Sequence, residues 1–200
     1  MVKVRVFVEG GGNNNKYLGT ECRKGFHAFF KKSGLIEYLP RTIACGSRND
    51  AYDDFCTALK NAGDNDFPIL LVDSEDSVNA NDLSWQHLKK RDNWDKPDGA
   101  ADNQAHLMVQ CMEAWFMADK GCVKEYFGQG FNENLLPKQP DIEAIPKDDL
   151  LSKLLNATRN ASPKGAYDKG AHSFKLLALI DPIKVRNASS HAKRLLDALA

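Results

Sequence analysis

Apolar and polar positions alternate at two different periods along this chain. Residues 2–8 read Val-Lys-Val-Arg-Val-Phe-Val, the period-two pattern of a strand. Gly10-Gly11-Gly12-Asn13-Asn14-Asn15 follows as a loop. From about Thr20, Cys22, Phe26, Phe29 and Phe30 recur at helical spacing as far as Lys32, and Ser33-Gly34 stops the helix. A second strand is expected from Tyr38 to Ala44. Gly46-Ser47-Arg48-Asn49-Asp50 then caps a helix carrying Ala51, Tyr52, Phe55, Leu59 and Lys60. After a polar turn at 61–66, Phe67–Val72 is continuously apolar, as in a strand buried on both faces.

Residues 74–103 are polar, with Trp85 and Trp94, and read as an insertion over the sheet's carboxyl edge with a short helix near Leu83–Lys90. Ala105–Gln110 is a fourth strand candidate. The helix after it carries Met112, Trp115, Phe116, Val123 and Phe127 and ends at Gly128. Residues 129–149 are Pro-rich and irregular. Helices are expected at 149–160, 172–180 and 188–199, with Lys164–Ala171 as a loop. Strand-helix alternation predicts an α/β fold: a mainly parallel four-stranded, Rossmann-like sheet with helices on both faces and a C-terminal helical extension. In domain terms this is residues 1–128 with the insertion 74–103, and 129–200 packed on the same domain.

Composition narrows the function. The formal net charge is zero, which excludes a strongly basic binder but not a local basic patch, and the last forty residues are locally basic. No apolar run nears the ~20 residues of a membrane helix, and the first residues read directly as a strand. A cytoplasmic protein with no membrane partner is expected. The five cysteines are odd in number and contain no Cys-x-x-Cys, so they read as small buried hydrophobes. Gly10–Tyr17 lacks the Gly-Lys-Ser/Thr of a P-loop, and no Gly-x-Ser-x-Gly elbow exists.

Two strands end abruptly in acid: Val8-Glu9-Gly10 and Val72-Asp73-Ser74-Glu75-Asp76. Open α/β sheets bind ligands beyond their strands' carboxyl ends, and carboxylates there can hold a hard divalent cation. On an extended pleat, Asp73 and Glu75 would point to one side. Glu113 begins the helix after the fourth strand, and would join them if that strand neighbours the first. Arg48 could clamp a phosphate from the turn after the second strand. Trp115 and Phe116 read as core.

These acidic ends, in an alternating α/β frame, resemble the Toprim catalytic domain of topoisomerases, primases and overcoming-lysogenization-defect nucleases. More closely, the chain resembles a Toprim-related family of unknown function found beside ATPase genes in bacterial abortive-infection operons. Val8-Glu9-Gly10, Gly19-Thr20-Glu21, Gly46-Ser47-Arg48, Val72–Glu75, His106–Phe116, Tyr167-Asp168-Lys169-Gly170 and Ser190–Leu199 carry that resemblance. It implies a phosphodiesterase or nuclease with Mg²⁺, or Mn²⁺, held by Glu9, Asp73 and Glu75 and with Glu9 and Asp73 catalytic; by position, Glu113 is a further metal candidate, and Arg48 and Lys169 are catalytic candidates that would stabilise phosphate charge. The implied partners are nucleic acid and an ATPase, with a homodimer open. Asp-x-Glu stands where Toprim domains carry Asp-x-Asp. A non-catalytic module of the same fold is the alternative expectation. A flavodoxin-like binding domain is disfavoured, because no phosphate-cradling Ser/Thr loop follows the first strand.

Overall fold

The computed structural model describes residues 2–12, 15–35 and 39–200. Strands β1 (Lys3–Glu9), β2 (Arg41–Gly46), β3 (Asp66–Asp73) and β4 (Ala105–Met108) form one parallel sheet in the order β2-β1-β3-β4. The chain leaves β1 to one side to make β2 and returns on the other to make β3. The topological switch therefore lies between the carboxyl ends of β1 and β3, where Glu9 and Asp73 are the last strand residues.

Strand periodicity divides the core in two. Val6, Val8, Ile69, Leu71 and Met108 face one cluster, while Phe7, Leu70, Val72 and Leu107 face the other. Helices α2 (Arg48–Lys60) and α3 (Ser84–Asp92) close the second face through Ala51, Phe55, Trp85 and Leu88. The first face is closed by α1 (Lys16–Lys32) and the C-terminal part. That part comprises α4 (Lys120–Phe127), β5 (Gly128–Gln129), α5 (Lys147–Thr158), β6 (Ser162–Pro163), α6 (Lys169–Leu179), α7 (Pro182–Ala188) and α8 (Ser190–Leu199). Leu150, Leu154, Leu176, Leu177, Ile180 and Leu195 from it join Phe26, Phe29 and the sheet in one buried cluster.

Several elements differ from the sequence expectation. Helix α1 starts four residues before Thr20, because Asn15 Oδ1 accepts from Leu18 N at 3.0 Å while the Thr20 hydroxyl is spent on Lys16 O inside the helix. The second strand begins at Arg41, after Pro40, which cannot donate to a ladder; its expected start at Tyr38 lies outside the described residues, as do Asn13 and Asn14 of the glycine loop. The helix expected from Met112 is 3₁₀ over Met112–Asp119 and α only from Lys120. Helix α5 opens at Lys147, not 149, directly after Pro146. Helix α7 and the antiparallel pair β5–β6 were not foreseen. The insertion 74–103 is less a loose lid than a packed element: Trp85 is buried near Phe55, and Trp94 stacks on Tyr52 at 4.4 Å.

Candidate metal centre

At the switch point, Glu9, Asp73 and Glu75 each present a carboxylate oxygen within 4.8 Å of the others. Glu9 and Asp73 arrive as expected on strand ends. Glu75 does not arrive by strand alternation. Its φ of +68° lies in the left-handed region, sparsely used by non-glycine residues, and its N–H is tied to Gln110 O at 2.8 Å. A turn, not a pleat, returns its carboxylate beside Asp73.

Asp73 is buried. Its Oδ1 accepts the Met112 N–H at 2.9 Å, and its Oδ2 has only two ammonium groups near it, Lys147 and Lys169, each at 3.8 Å. Burial pushes the Asp73 carboxyl up to about 7, with Lys169 opposing and the charges of Glu113 and Glu9 adding to the rise. Glu75 goes the other way. Burial acts to raise it, but Lys147 Nζ at 2.6 Å, helped by Arg91, holds it below the usual carboxylate range.

Glu113 reaches the same place by a different route from the one expected. Its strand β4 neighbours β3, not β1, and the 3₁₀ turn after β4 carries it inward. It is fully buried. Oε1 accepts from Tyr167 Oη at 2.9 Å and lies 3.7 Å from Lys169 Nζ, and Oε2 has no hydrogen-bond partner among the described residues. Glu113 lies outside the group of three whose oxygens converge. Burial and Glu113 raise the Tyr167 hydroxyl far above its usual range, so it remains a donor.

The Tyr167-Asp168-Lys169-Gly170 stretch is the start of α6. Asp168 caps it by accepting from Ala171 N at 2.8 Å, Tyr167 holds Glu113, and Lys169 projects between Glu113 and Asp73. Burial acts to lower the Lys169 ammonium, but Glu113 and Asp73 outweigh it and raise it. Lys147 is a site residue that sequence reasoning missed. It stands at the first position of α5, and its N–H donates to Gln110 Oε1 at 3.2 Å. No local signal pointed to it, because only the fold brings residue 147 beside residue 75.

Arg48 is placed as expected after β2, but its fork is already engaged. Nε and Nη2 grip both oxygens of Asp92 at 3.0 and 2.7 Å, while Nη1 donates to Glu9 Oε2 at 3.3 Å and to the Asp73 carbonyl. Its partner is not Asp50 or Asp53 of its own helix but the last residue of the insertion's helix. Burial opposes the charge, Asp92 and Glu9 more than restore it, and the guanidinium holds Glu9 in place rather than lying free.

The donor set of Glu9, Asp73 and Glu75 is all oxygen and holds a carboxylate raised chiefly by burial, with a buried oxygen of Glu113, unpartnered among the described residues, outside the three. That chemistry fits a hard divalent cation such as Mg²⁺ or Mn²⁺. Several of the basic residues in the last forty are engaged in ion pairs. Lys184 pairs with Asp119, and Arg186 and Lys193 both pair with Asp197. Trp115 and Phe116 are core, Trp115 stacking on Phe29 at 5.1 Å. The five thiols are free, and burial pushes Cys22 up to about 12. Among the described residues no helix is long and apolar enough to cross a membrane.

The sequence model of a family described as Domain of unknown function (DUF4276) matches residues 8–200, and the chain belongs to that family. No curated protein and no solved structure matches it.

Proposed function

We propose that this DUF4276 member is a divalent-metal-dependent phosphodiesterase that cleaves nucleic acid in the cytoplasm. The observation that carries the reading is the convergence of Glu9, Asp73 and Glu75 at the switch point with two lysines, Lys147 and Lys169, directed at the same carboxylates. Glu9, Asp73 and Glu75 would hold Mg²⁺ or Mn²⁺, with Glu113 beside them. Such an ion, when bound, polarises a phosphoryl oxygen and lowers the pKa of a bound water.

The chain's own groups supply the rest. Glu9 is partly open to solvent and fixed by Arg48, so it can take the proton of a water attacking phosphorus. Attack forms one O–P bond and breaks the bond to the leaving nucleotide oxygen, which takes a proton from solvent. Lys169 sits 3.7–3.8 Å from its carboxylates, beyond a tight hydrogen bond, so its ammonium can turn to the non-bridging oxygens as charge develops on them. Lys147, hydrogen-bonded to Glu75 at 2.6 Å, holds that carboxylate in place. Arg48 is a positioning residue for Glu9. The resemblance to Toprim-related abortive-infection proteins supports a phage-defence role beside an ATPase partner.

A second reading, a non-catalytic module of an ATPase complex, is favoured by one feature: Lys147–Glu75 at 2.6 Å and Arg48–Asp92 already form a closed ion-pair network. The purified chain, alone and with a co-purified ATPase, should cleave at least one of tRNA, single-stranded RNA and duplex DNA with Mg²⁺ or Mn²⁺. Glu9→Gln and Asp73→Asn should each lower the rate at least about 100-fold. Equal rates in both variants would end the metal-centre reading, and absence of cleavage under every condition would favour the module.

A further inference from the structure

A cavity of about 630 Å³ opens beside the acidic centre, lined by Gly11, Gly12, Lys16, Gly19, Thr20 and Arg23, with Ala44, Cys45 and Asp50 on the far wall. It shares the end of β1 with the centre. Glu9 is a candidate ligand there, and Gly11, two residues on, is cavity floor; two residues of chain span at most about 7 Å.

The floor is closely packed. Gly11 has φ +91°, and a Cβ there would lie 2.9 Å from Gly19 Cα and 3.2 Å from Ala44 Cβ. Any side chain at this position would be strained and would meet backbone. The β1–α1 loop thus lies directly on α1, which fixes the wall that carries Lys16 and Arg23 against the end of β1.

The charge of the cavity is positive. Lys16 and Arg23 are exposed, and Glu21, the acidic residue of that helix, is taken by Lys24 at 3.0 Å. Arg23 Nη2 donates to Thr20 Oγ1 at 3.1 Å and keeps its other donors. The first turn of the seventeen-residue α1 contains no acidic residue, so its amide dipoles add to the lysine and arginine. The one opposing carboxylate, Asp50, accepts from Ser47 N at 3.2 Å and from Ser47 Oγ at 2.5 Å as the cap of α2. Burial first, then Asp54, raises the Cys45 thiol, which stays neutral.

On the other flank, a smaller cavity of about 350 Å³ is lined by Glu75, Asp76 and Asp148 as well as Arg91 and Lys147. The excess of cations over carboxylates is therefore found at the Lys16–Arg23 cavity and not on the other flank. Building on the phosphodiesterase reading, we propose that the Lys16–Arg23 cavity is a phosphate subsite that binds the backbone of a single-stranded polynucleotide next to the scissile phosphate.

The test is fluorescence anisotropy of a labelled twelve-nucleotide single strand, as RNA and as DNA, with Ca²⁺ replacing Mg²⁺ to suppress cleavage. It is paired with calorimetric titration of Mg²⁺ into the same proteins. Both target side chains are exposed, so Lys16→Ala/Arg23→Ala should fold normally, and Lys16→Arg/Arg23→Lys keeps the charge. The alanine pair should bind the strand at least about tenfold more weakly. It should also lower the slope of log K against log salt by about 1.4, two phosphates' share for a single strand. The charge-keeping pair should bind like wild type, and Mg²⁺ binding should be unchanged in both. Wild-type affinity in the alanine pair, or no strand binding by the wild type, would overturn the subsite. Charge-dependent strand binding without any Mg²⁺ binding would support the subsite while removing the phosphodiesterase reading.

Discussion

At the residue scale, the chain keeps ionisable groups in places that cost stability, and each has a distinct consequence. His106 is buried on β4, with Nε2 donating to Asn103 O at 2.9 Å, since a carbonyl can only accept. Burial, aided by the charges of Arg194 and His191, depresses it to about 4. Above pH 6.5 it is neutral in both folded and unfolded chains and contributes no pH dependence. As pH falls from 6.5 toward 4, the unfolded chain takes up a proton that the folded chain refuses, so stability falls. At pH 5 the loss is about 2 kcal/mol. Denaturant unfolding at pH 7 and pH 5 should show that much less pH dependence in His106→Leu than in wild type; parallel losses in the two proteins would refute the assignment. Asp73 and Glu9 were legible as strand-end acids because an apolar run that stops at a carboxylate needs no tertiary knowledge. Glu75 was found by spacing but for the wrong geometric reason, since its left-handed turn depends on the Gln110 carbonyl. Lys147 was illegible because only the fold brings residue 147 to residue 75.

At the element scale, the helices matter for what their ends deliver. The first positions of α2, α5 and α6 bring Arg48, Lys147 and Lys169 to the centre, and α3 ends in Asp92, which holds Arg48. Helix α6 is set against α1 through Gly25, where a Cβ would lie 2.7 Å from Phe174 O and 3.1 Å from Phe174 Cβ. Backbone on both sides must then move. Gly25→Val should therefore destabilise the fold by at least about 2 kcal/mol and displace Lys169, lowering any metal-dependent cleavage along with the melting temperature. A variant of unchanged stability would show that α6 does not depend on this contact. Strands and the α1 and α2 helices were legible because their apolar periods are long and regular. The α5 start, α7 and the 3₁₀ segment 112–119 were not. The first follows a proline-rich stretch, α7 is only seven residues, and the 3₁₀ geometry is set by Met112 N–H binding Asp73 rather than by pattern.

At the scale of the whole molecule, a neutral chain concentrates its charges. The carboxyl edge gathers five buried or half-buried carboxylates, those of Glu9, Asp73, Glu75, Asp92 and Glu113, against Arg48, Lys147, Lys169 and Arg91, and a cavity with Lys16 and Arg23 on its wall shares the end of β1 with them. Residues 129–200 supply both lysines and much of one core face, while the three converging carboxylates come from the first half of the chain. The parallel sheet with helices on both faces followed from strand-helix alternation; the merging of the C-terminal helices into the sheet's own core did not, because amphipathic faces do not name their partners.

The most direct test is calorimetric titration of Mn²⁺ into the wild-type chain and Asp73→Asn at pH 8, where Asp73 is ionised. Wild type should bind with a defined stoichiometry and lose binding at least about 100-fold in the variant, whose metal-free form should melt no lower because a buried charge has been removed. Equal Mn²⁺ affinity in the two proteins, or none in the wild type, would contradict a metal centre at the β1–β3 switch point.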